Sequence, residues 1–303
     1  MRELPYTIAF VVLNYNDAET TITLVNQLQQ WNDPKLRLNV VIVDNRSTDG
    51  SYFRLNAAFN DSQLVDVICS EKNGGYSYGN NLGAKFAIDH FHPEYLVIAN
   101  PDIFVDEQTV LALLETFERD DRVAMCSPVM KSLDGAFRAY SQTLPTWWDD
   151  LKACRLRNHS DTLHEDNYQT LDEEGNLIVT EMLPGSFFII RSDVFEKIGM
   201  LDDSVFLYCE ERILGRKLKD AGYRAVLRKD LFYLHAHAVT TSKAISLVNR
   251  QKLMMSSRLY YQKYYEHCNA IQIAVLNIAM WIYIIGLRMF LFCKSKSCNK
   301  EIV

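Results

Sequence analysis

Several features that would assign this chain to a common class are missing. No Gly-x-Gly-x-x-Gly follows the first apolar run, and no Gly-x-x-x-x-Gly-Lys-Ser/Thr occurs anywhere. The first absence argues against a dinucleotide-binding Rossmann enzyme, and the second excludes a P-loop protein. The seven cysteines form no Cys-x-x-Cys pair, and no internal repeat or low-complexity segment is present. With an odd cysteine count and no signal-peptide pattern, we expect reduced thiols in a cytoplasmic chain.

The chain also lacks an excess of positive charge. Its formal net charge is -6 and its isoelectric point is about 5.7, so the balance does not favour nucleic-acid binding. The 303 residues are 48% hydrophobic, which is enough for an ordinary packed core in one large α/β domain or two smaller ones.

Apolar β-branched runs alternate with segments of helical spacing. The runs "YTIAFVVLNYN", "LNVVIVDN", "LVDVICS" and "YLVIAN" predict buried strands. The segments between and after them predict helices, two of which begin at the candidate N-caps Asp17 and Asp106. Strands that alternate with helices predict an α/β fold with a doubly wound, mainly parallel sheet.

Three of these predicted strands end in polar residues. They end in Asn14-Tyr15-Asn16, in Asp44-Asn45 and in Asn100-Pro101-Asp102. Each ending alone is ordinary turn chemistry. Because ligands bind beyond the carboxyl ends of parallel strands, three such endings on one edge indicate a ligand site there.

A loop rich in glycine and asparagine, "KNGGYSYGNNLG", follows the third strand. Its glycines allow close approach of the backbone to a ligand, and the helix that follows favours an anion at its N-terminus. Alone, this loop is a weak signal.

Three groups of side chains could carry chemistry. Asp102 could bind Mg²⁺ or Mn²⁺ beside a substrate phosphate, or it could simply start a turn. Glu210 and Glu211 could supply a general base, or they could be first-turn acids that complement a helix dipole. On a helix, Glu211 would share the packed face with Leu214 and Leu218, with Glu210 about 100° away. His235 and His237 would share one face of a strand as candidate metal ligands.

The end of the chain is different in character. The segment "AIQIAVLNIAMWIYIIGLRMFLFCK" is almost wholly apolar and leads into the basic run "KSKSCNK". It is long enough to span a bilayer, but Gln272, Asn277 and Arg288 interrupt it. A helix lying in the membrane interface fits this pattern best, and an oligomer contact or a true span remains open.

Taken together, these motifs make the chain resemble family 2 glycosyltransferases of the GT-A fold, especially the bacterial rhamnosyltransferase-like branch that builds surface polysaccharides. The matching motifs are "VVLNYN" (11–16), "VVIVDNRSTDGS" (40–51), "NGGYSYGNNLG" (73–83), "ANPDI" (99–103), "LPGSFFIIRSDVFEKIGMLDDSVFLYCEE" (183–211) and "LKDAGY" (218–223). The resemblance implies a GT-A domain at residues 1–245, with its nucleotide-binding half at about 1–105 and its acceptor half at about 106–245. A helical extension at residues 246–303 follows.

The resemblance also implies an activity. It implies inverting transfer of a sugar, with rhamnose favoured by the branch, from a nucleoside-diphosphate donor. The acceptor would be a glycan or a polyprenyl-diphosphate-linked glycan in surface polysaccharide (O-antigen) synthesis. The enzyme would lie on the inner face of the bacterial plasma membrane through its C-terminal helix. A homodimer is left open, and no nucleic-acid partner is implied.

The resemblance gives each candidate residue a role. Donor contacts would come from Asn14, Asn16, Asp44, Asn45, Asn73, Gly74, Gly75, Asn80 and Asn100. Asp102 and His235 would hold Mg²⁺ or Mn²⁺, with His237 as the second choice. Gly185 and Ser186 would lie near the acceptor, and Trp147 and Trp148 would form an acceptor wall.

One motif departs from the family. The family's Glu-Asp-x-Asp-Leu is replaced here by Glu210-Glu211-Arg212-Ile213-Leu214. Glu211 therefore stands where the base is expected, and the choice between Glu210 and Glu211 stays open. The lost aspartates also leave open a catalytically inactive nucleotide-sugar-binding or scaffold protein. A nucleotidyltransferase would need a basic, glycine-rich segment after the first strand, and "NYNDAETT" is not one.

Overall fold

The computed structural model describes residues 4–138, 143–154, 169–236 and 246–298. The chain groups into two compact units. The first, called the sheet unit, comprises Met1–Leu144, Glu165–Phe206 and Glu210–Thr240; the second, called the helical unit, comprises Pro145–His164, Leu207–Cys209 and Thr241–Val303. The domain boundary expected at residue 245 stays a prediction.

The sheet unit is built on one sheet that has ten strands among the described residues. The strands are β1 Tyr6–Asn14, β2 Leu36–Asp44, β3 Val65–Cys69, β4 Tyr95–Ala99, β5 Ile103–Phe104, β6 Val123–Ser132, β7 Phe137–Arg138, β8 Leu177–Thr180, β9 Phe187–Arg191 and β10 Arg224–His235. Their order is β3-β2-β1-β4-β9-β6-β10-β5, with β7 on β6 and β8 on β10. β3, β2, β1 and β4 are parallel neighbours, and β9 pairs antiparallel with both β4 and β6.

Helices follow most of these strands. They are α1 Ala18–Leu28, α2 Ser51–Phe59, α3 Tyr76–Phe91, α4 Glu107–Leu114, α5 Trp147–Ala153, α6 Ser192–Lys197, α7 Glu210–Asp220, α8 Leu247–Tyr264 and α9 Ala270–Cys298, with a 3₁₀ turn at Glu115–Glu118. Asp106 caps α4, accepting a hydrogen bond from the Thr109 N–H at 2.7 Å, which confirms the predicted cap.

Both faces of the sheet are buried. Successive side chains of a strand point to opposite sides, so each strand contributes residues to two cores. Along β1, Ile8, Phe10 and Val12 enter a core that also contains residues of α1, α2 and α4. Ala9 and Val11 enter a second core with residues of α3, α6 and α7. A central, mostly parallel sheet between two helical layers confirms the predicted mixed α/β class.

The helical unit has its own small core. Met255, Leu276, Met280 and Ile284 form it, with Trp147 packed against them. The buried Asp150 carboxylate accepts a hydrogen bond from Gln262 at 2.8 Å and lies 3.5 Å from Arg258 Nε. These side chains join α5 to α8 and α9.

α9 carries the apolar sequence near the end of the chain. Within the described residues it contains one segment, Ala270–Leu291, that is long and apolar enough to cross a membrane. Only 22% of that segment is buried within the structure.

Candidate active site

The strand ends that the sequence singled out do meet at one edge of the sheet. Parallel pairing places Asn14 beside Asp44 at the carboxyl ends of β1 and β2. The Asn14 side-chain amide donates to Asp44 Oδ2 at 2.9 Å, and the Asn45 N–H donates to the Asn14 carbonyl at 2.8 Å. Asn14 and Asp44 are fully buried, so these two side chains shape the edge from within.

Ser47 links the two strand ends, and sequence reasoning overlooked it. Its hydroxyl accepts from the Asn14 amide at 3.2 Å and from the Asn16 N–H at 2.9 Å. Its own N–H donates to Asp44 Oδ1 at 2.9 Å. Asn16 has a positive φ of 55°, and its side chain accepts from the Thr48 N–H at 2.8 Å. A serine three residues after a strand-terminal aspartate could have indicated this turn.

Asn45 ties the second strand to the glycine loop. Its amide donates to Asn73 Oδ1 and to the Gly75 carbonyl, each at 3.1 Å, and its oxygen accepts from Ser70 at 3.3 Å. Gly75 has φ +90°, and a Cβ there would lie 2.0 Å from the Phe206 carbonyl oxygen. Glycine is thus required for packing at this position, independently of any ligand.

Two buried polar side chains, Ser77 and Asn80, lie in the first turns of α3. The Asn80 amide nitrogen donates to the Tyr76 carbonyl at 3.0 Å. The buried Asn80 Oδ1 and Ser77 hydroxyl find no hydrogen-bond partner among the described residues. Gly74 lies against Tyr78, because a Cβ at Gly74 would come within 2.4 Å of that ring. Buried polar atoms without partners are uncommon and indicate a ligand or ordered water.

A short antiparallel pairing brings Asp102 to His235. β5 pairs with the end of β10, where His235 is opposite Ile103, and the Ala236 N–H donates to the Asp102 carbonyl at 2.9 Å. The Asp102 carboxylate then lies 3.2 Å from His235 Nε2. The other ring nitrogen of His235 lies 3.2 Å from Met130 Sδ. Asp102 is 6% exposed.

The donor atoms of this pair fit a divalent cation. A carboxylate oxygen and an imidazole nitrogen are both ligands for Mn²⁺, and Mg²⁺ is held by one or two carboxylates plus substrate phosphates. Among the residues that the structure describes, no group of three or more His, Cys, Asp or Glu side chains could hold a metal. Two protein ligands therefore suit an ion that is completed by a diphosphate. His237 lies outside the described residues.

Asn100 and Ser186 connect the end of β4 to the loop before β9. The Asn100 N–H donates to the Ser186 carbonyl at 2.8 Å, and the Ser186 and Tyr233 hydroxyls are 2.6 Å apart. Burial raises the pKa of Tyr233 well above its ordinary value, and the carboxylates of Asp102 and Glu211 raise it further. Tyr233 is therefore a neutral hydroxyl beside Ser186.

The two glutamates at the start of α7 differ in burial, although both line one cavity with Leu214. Glu210 is 6% exposed, whereas Glu211 is only partly buried. The buried face of α7 includes Ile213 as well as Leu214, so it is wide enough to take in Glu210. The Glu211 side chain instead extends towards the loop that contains Gly185. A Cβ added at Gly185 would lie 3.0 Å from Glu211 Oε1.

Backbone strain precedes these glutamates. Tyr208 and Cys209 both adopt the left-handed conformation, with φ of 73° and 70°. Non-glycine residues in this region cost about 1–3 kcal/mol each and concentrate at functional sites. The strained pair lies directly before the first residue of α7.

Tyr76, which sequence reasoning also overlooked, lies among these groups. Its hydroxyl donates to the Gly185 carbonyl. Burial raises its pKa well above the ordinary value, and Glu210, Glu211 and Tyr233 raise it further. Tyr76, Gly185 and both glutamates line a cavity of about 10 Å³, roughly the room for one water molecule.

The two tryptophans expected in an acceptor wall belong to the helical unit. Trp147 donates its indole N–H to the Gln272 carbonyl at 3.0 Å. Trp148 is 63% exposed. Trp147 therefore packs the helical core, and the acceptor role of both residues stays a prediction.

Comparison with known proteins identifies the family. The model of glycosyl transferase family 2 matches residues 9–199, well over half of the chain. The matched region contains the strand ends, the glycine loop and Asp102. The chain belongs to the family 2 glycosyltransferases, as the sequence motifs predicted.

Relatives with known roles are distant. A low-salt glycan biosynthesis hexosyltransferase of Haloferax volcanii is 25% identical over 211 residues, which are 67% of this chain and 59% of that protein. An N-acetylglucosaminyl-diphospho-decaprenol L-rhamnosyltransferase of Mycobacterium tuberculosis is 26% identical over 219 residues, 68% of this chain and 69% of that protein. The chain thus matches less than two thirds of the Haloferax protein's length.

Solved structures are similar in fold. The crystal structure of GalNAc-T7 with UDP, GalNAc and Mn²⁺ superposes with a TM-score of 0.62 at 15% identity. The superposition covers 88% of this chain and 50% of that one. At this identity the likeness establishes the fold, which is the GT-A glycosyltransferase fold.

Proposed function

We propose that this protein transfers a hexose from a nucleoside-diphosphate sugar to a hydroxyl of a glycan or lipid-linked acceptor. The observation that carries the proposal is the Asp102–His235 pair, 3.2 Å apart at the sheet edge. Asp102 follows β4 at the same edge as the hydrogen-bonded ends of β1 and β2. Ligands of doubly wound sheets bind at this edge.

The donor would bind along β1, β2 and α3. Asp44 and Asn45 would shape the nucleoside pocket. The Asn80 oxygen and the Ser77 hydroxyl, which lack partners among the described residues, would be satisfied near the sugar or diphosphate. Asp102 and His235 would hold Mg²⁺ or Mn²⁺. The bound ion would neutralise the charge that develops on the diphosphate leaving group.

Glu211 is the residue that we propose as the general base. It is partly exposed, and its carboxylate reaches Gly185, whereas Glu210 is buried. A base must come within hydrogen-bond reach of the acceptor hydroxyl, directly or through one water. Glu211 would take that proton as the hydroxyl oxygen attacks the anomeric carbon opposite the leaving diphosphate, which inverts its configuration.

A lipid-linked acceptor would account for α9. The relative from Mycobacterium tuberculosis is named for a decaprenol-linked acceptor. The exposed side of α9 is apolar, and its large exposed side chains are Ile271, Val275, Ile278, Trp281, Ile282, Ile285, Met289 and Phe290. The basic run at residues 294–300 would favour an anionic lipid surface. We therefore propose peripheral attachment at the inner face of a bacterial plasma membrane.

A panel of nucleotide-sugars tests the activity. The protein is incubated with Mn²⁺, an acceptor extract and each donor in turn, and release of nucleoside diphosphate is measured. We expect release from one class of donor, with a deoxythymidine-diphosphate or uridine-diphosphate sugar such as rhamnose tested first. Binding of a nucleotide-sugar without release or transfer would instead support the inactive scaffold, which the replaced aspartates of the Glu-Asp-x-Asp-Leu motif favour.

A further inference from the structure

Tyr76 connects segments that are distant in the sequence. It is the first residue of α3, and its hydroxyl donates to the Gly185 carbonyl, 109 residues further along the chain. Its backbone N–H donates to the Phe206 carbonyl at 3.0 Å. One residue thus joins the glycine loop, the Gly185 loop and the segment that leads to α7.

The chemistry of the Tyr76 hydroxyl limits what it can do. A phenol has one proton to donate, and the Gly185 carbonyl accepts it. The titratable groups that face Tyr76 are Glu210, Glu211 and Tyr233. The Tyr76 oxygen can therefore only accept a hydrogen bond on this side. The donor would be a protonated carboxyl, a hydroxyl or a water molecule in the adjoining cavity. Tyr76 therefore stays neutral and holds Gly185 at any assay pH near neutrality.

The Glu211 side chain in turn lies next to the Gly185 backbone. The distance from a Cβ at Gly185 would be 3.0 Å to Glu211 Oε1 and 3.4 Å to its carboxyl carbon. A side chain at Gly185 would press on the Glu211 side chain, so the two residues are close neighbours and a shift of the Gly185 backbone would disturb the carboxylate. Displacement of a catalytic group by about 1 Å can cost about 100-fold in rate.

We propose that Tyr76 is a positioning residue: its hydroxyl holds the Gly185 carbonyl and thereby fixes the place of the Glu211 carboxylate. The kinetic part of this inference rests on the proposed function. It adds a coupling between the donor loop and the base that the family assignment does not supply.

The direct variant is Tyr76→Phe, which keeps the ring and removes only the hydroxyl. We expect kcat to fall about 10- to 100-fold, with the donor KM unchanged within a factor of about two. Tyr6→Phe is the matched control: Tyr6 is also buried, and its hydroxyl donates to Glu118 at 2.7 Å at the opposite end of β1. Tyr6→Phe should lose similar stability and keep its kcat, and an equal kcat in the two variants would contradict the role.

A double-mutant cycle separates positioning from general packing. In Glu211→Asp the shorter side chain withdraws from Gly185 while the carboxylate is retained. We expect Tyr76→Phe to cost only about twofold in that background, because the coupled residues are in contact through Gly185. The same fold-loss in both backgrounds would mean that Tyr76 does not act through Glu211.

Hydrogen exchange tests the contact without any turnover. Tyr76→Phe should speed amide exchange in peptides covering residues 183–190 and 210–214, and leave peptides of β2 unchanged. Unchanged exchange at 183–190 would overturn the positioning role even if the protein transfers no sugar. Faster exchange in a protein that releases no nucleoside diphosphate would uphold the contact and refute the proposed function instead.

Discussion

Two parts of the candidate site, a proposed donor end and a proposed catalytic end, are held together in different ways. At the donor end, Asn14, Asp44, Asn45 and Ser47 form a closed set of hydrogen bonds between adjacent parallel strands. At the catalytic end, which comprises the Asp102–His235 pair, Tyr76, Gly185 and Glu211, single contacts join segments far apart in sequence: Asp102 with His235 across 133 residues, and Tyr76 with Gly185 across 109.

We expect changes at the two ends to have different effects on the proposed reaction. The donor end is a rigid frame whose polar groups mostly satisfy each other, so a change there should affect binding and stability together. The catalytic end brings carboxylates and neutral hydroxyls together, and a low local dielectric strengthens the electrostatic effect of each group. Changes there should affect the rate of the chemical step first.

The largest effect that distinguishes the two ends is expected at Glu211. Glu211→Gln removes the proton acceptor while preserving size, so kcat should fall about 10²- to 10⁴-fold, with the donor KM little changed. Steady-state kinetics of nucleoside-diphosphate release measure this loss. Glu210→Gln should cost less kcat, because Glu210 is buried. A larger loss from Glu210→Gln would transfer the base role to that residue.

A smaller and different effect is expected at the donor end. Asp44→Ala leaves the Ser47 N–H without its acceptor and weakens the hold on Asn14, which should cost about 1–3 kcal/mol of unfolding free energy. The nucleotide affinity should fall with it, and kcat at saturating donor should change least. Urea unfolding and calorimetric titration with UDP measure the two losses. Asp61→Ala, at an exposed position, is the control and should stay within about 0.5 kcal/mol of wild type.

The same contrast explains what the sequence could predict. Apolar runs that end in Asn or Asp sufficed to place Asn14, Asp44 and Asn100 at one edge, because parallel register follows from the fold class. Nothing in the local pattern could pair two residues of β5 with the end of β10, although that pairing brings His235 to Asp102. The burial of Glu210 likewise depends on how α7 packs against the sheet, and helical periodicity alone did not predict it.

The glycine loop shows a second limit. The loop was interpreted as a ligand contact, yet Gly75 has a packing requirement against Phe206 and Gly83 one against Val11 and Val43. A glycine-rich composition indicates that the backbone approaches another group closely. Whether that group is a ligand or another part of the protein depends on tertiary contacts that the sequence does not reveal. Tyr76 and Ser47 escaped notice for the same reason, since tyrosine and serine occur throughout the sequence.

The smallest effect concerns alkaline pH. Burial, then Glu210 and Glu211, raise the folded-state pKa of Tyr76 above its unfolded value of about 10. Its stabilising contribution is therefore fully present below about pH 10 and is lost as pH rises through the folded pKa, at up to about 1.4 kcal/mol per pH unit. Urea unfolding between pH 8 and 11 should show a shallower decline for Tyr76→Phe than for wild type. Parallel curves would mean that Tyr76 titrates as it does in the unfolded chain.

Asp102 and His235 are the residues that we propose hold a divalent ion against a nucleotide-sugar at the sheet edge. The most direct test of this proposal is Mn²⁺-dependent release of nucleoside diphosphate by wild type, by Asp102→Ala and by Asp106→Ala. Asp106 lies four residues away and only caps α4, so its loss should cost about 1 kcal/mol of stability and little activity. We predict that Asp102→Ala stays folded by circular dichroism and is as inactive as wild type in EDTA. Full metal-dependent turnover by Asp102→Ala would contradict the account.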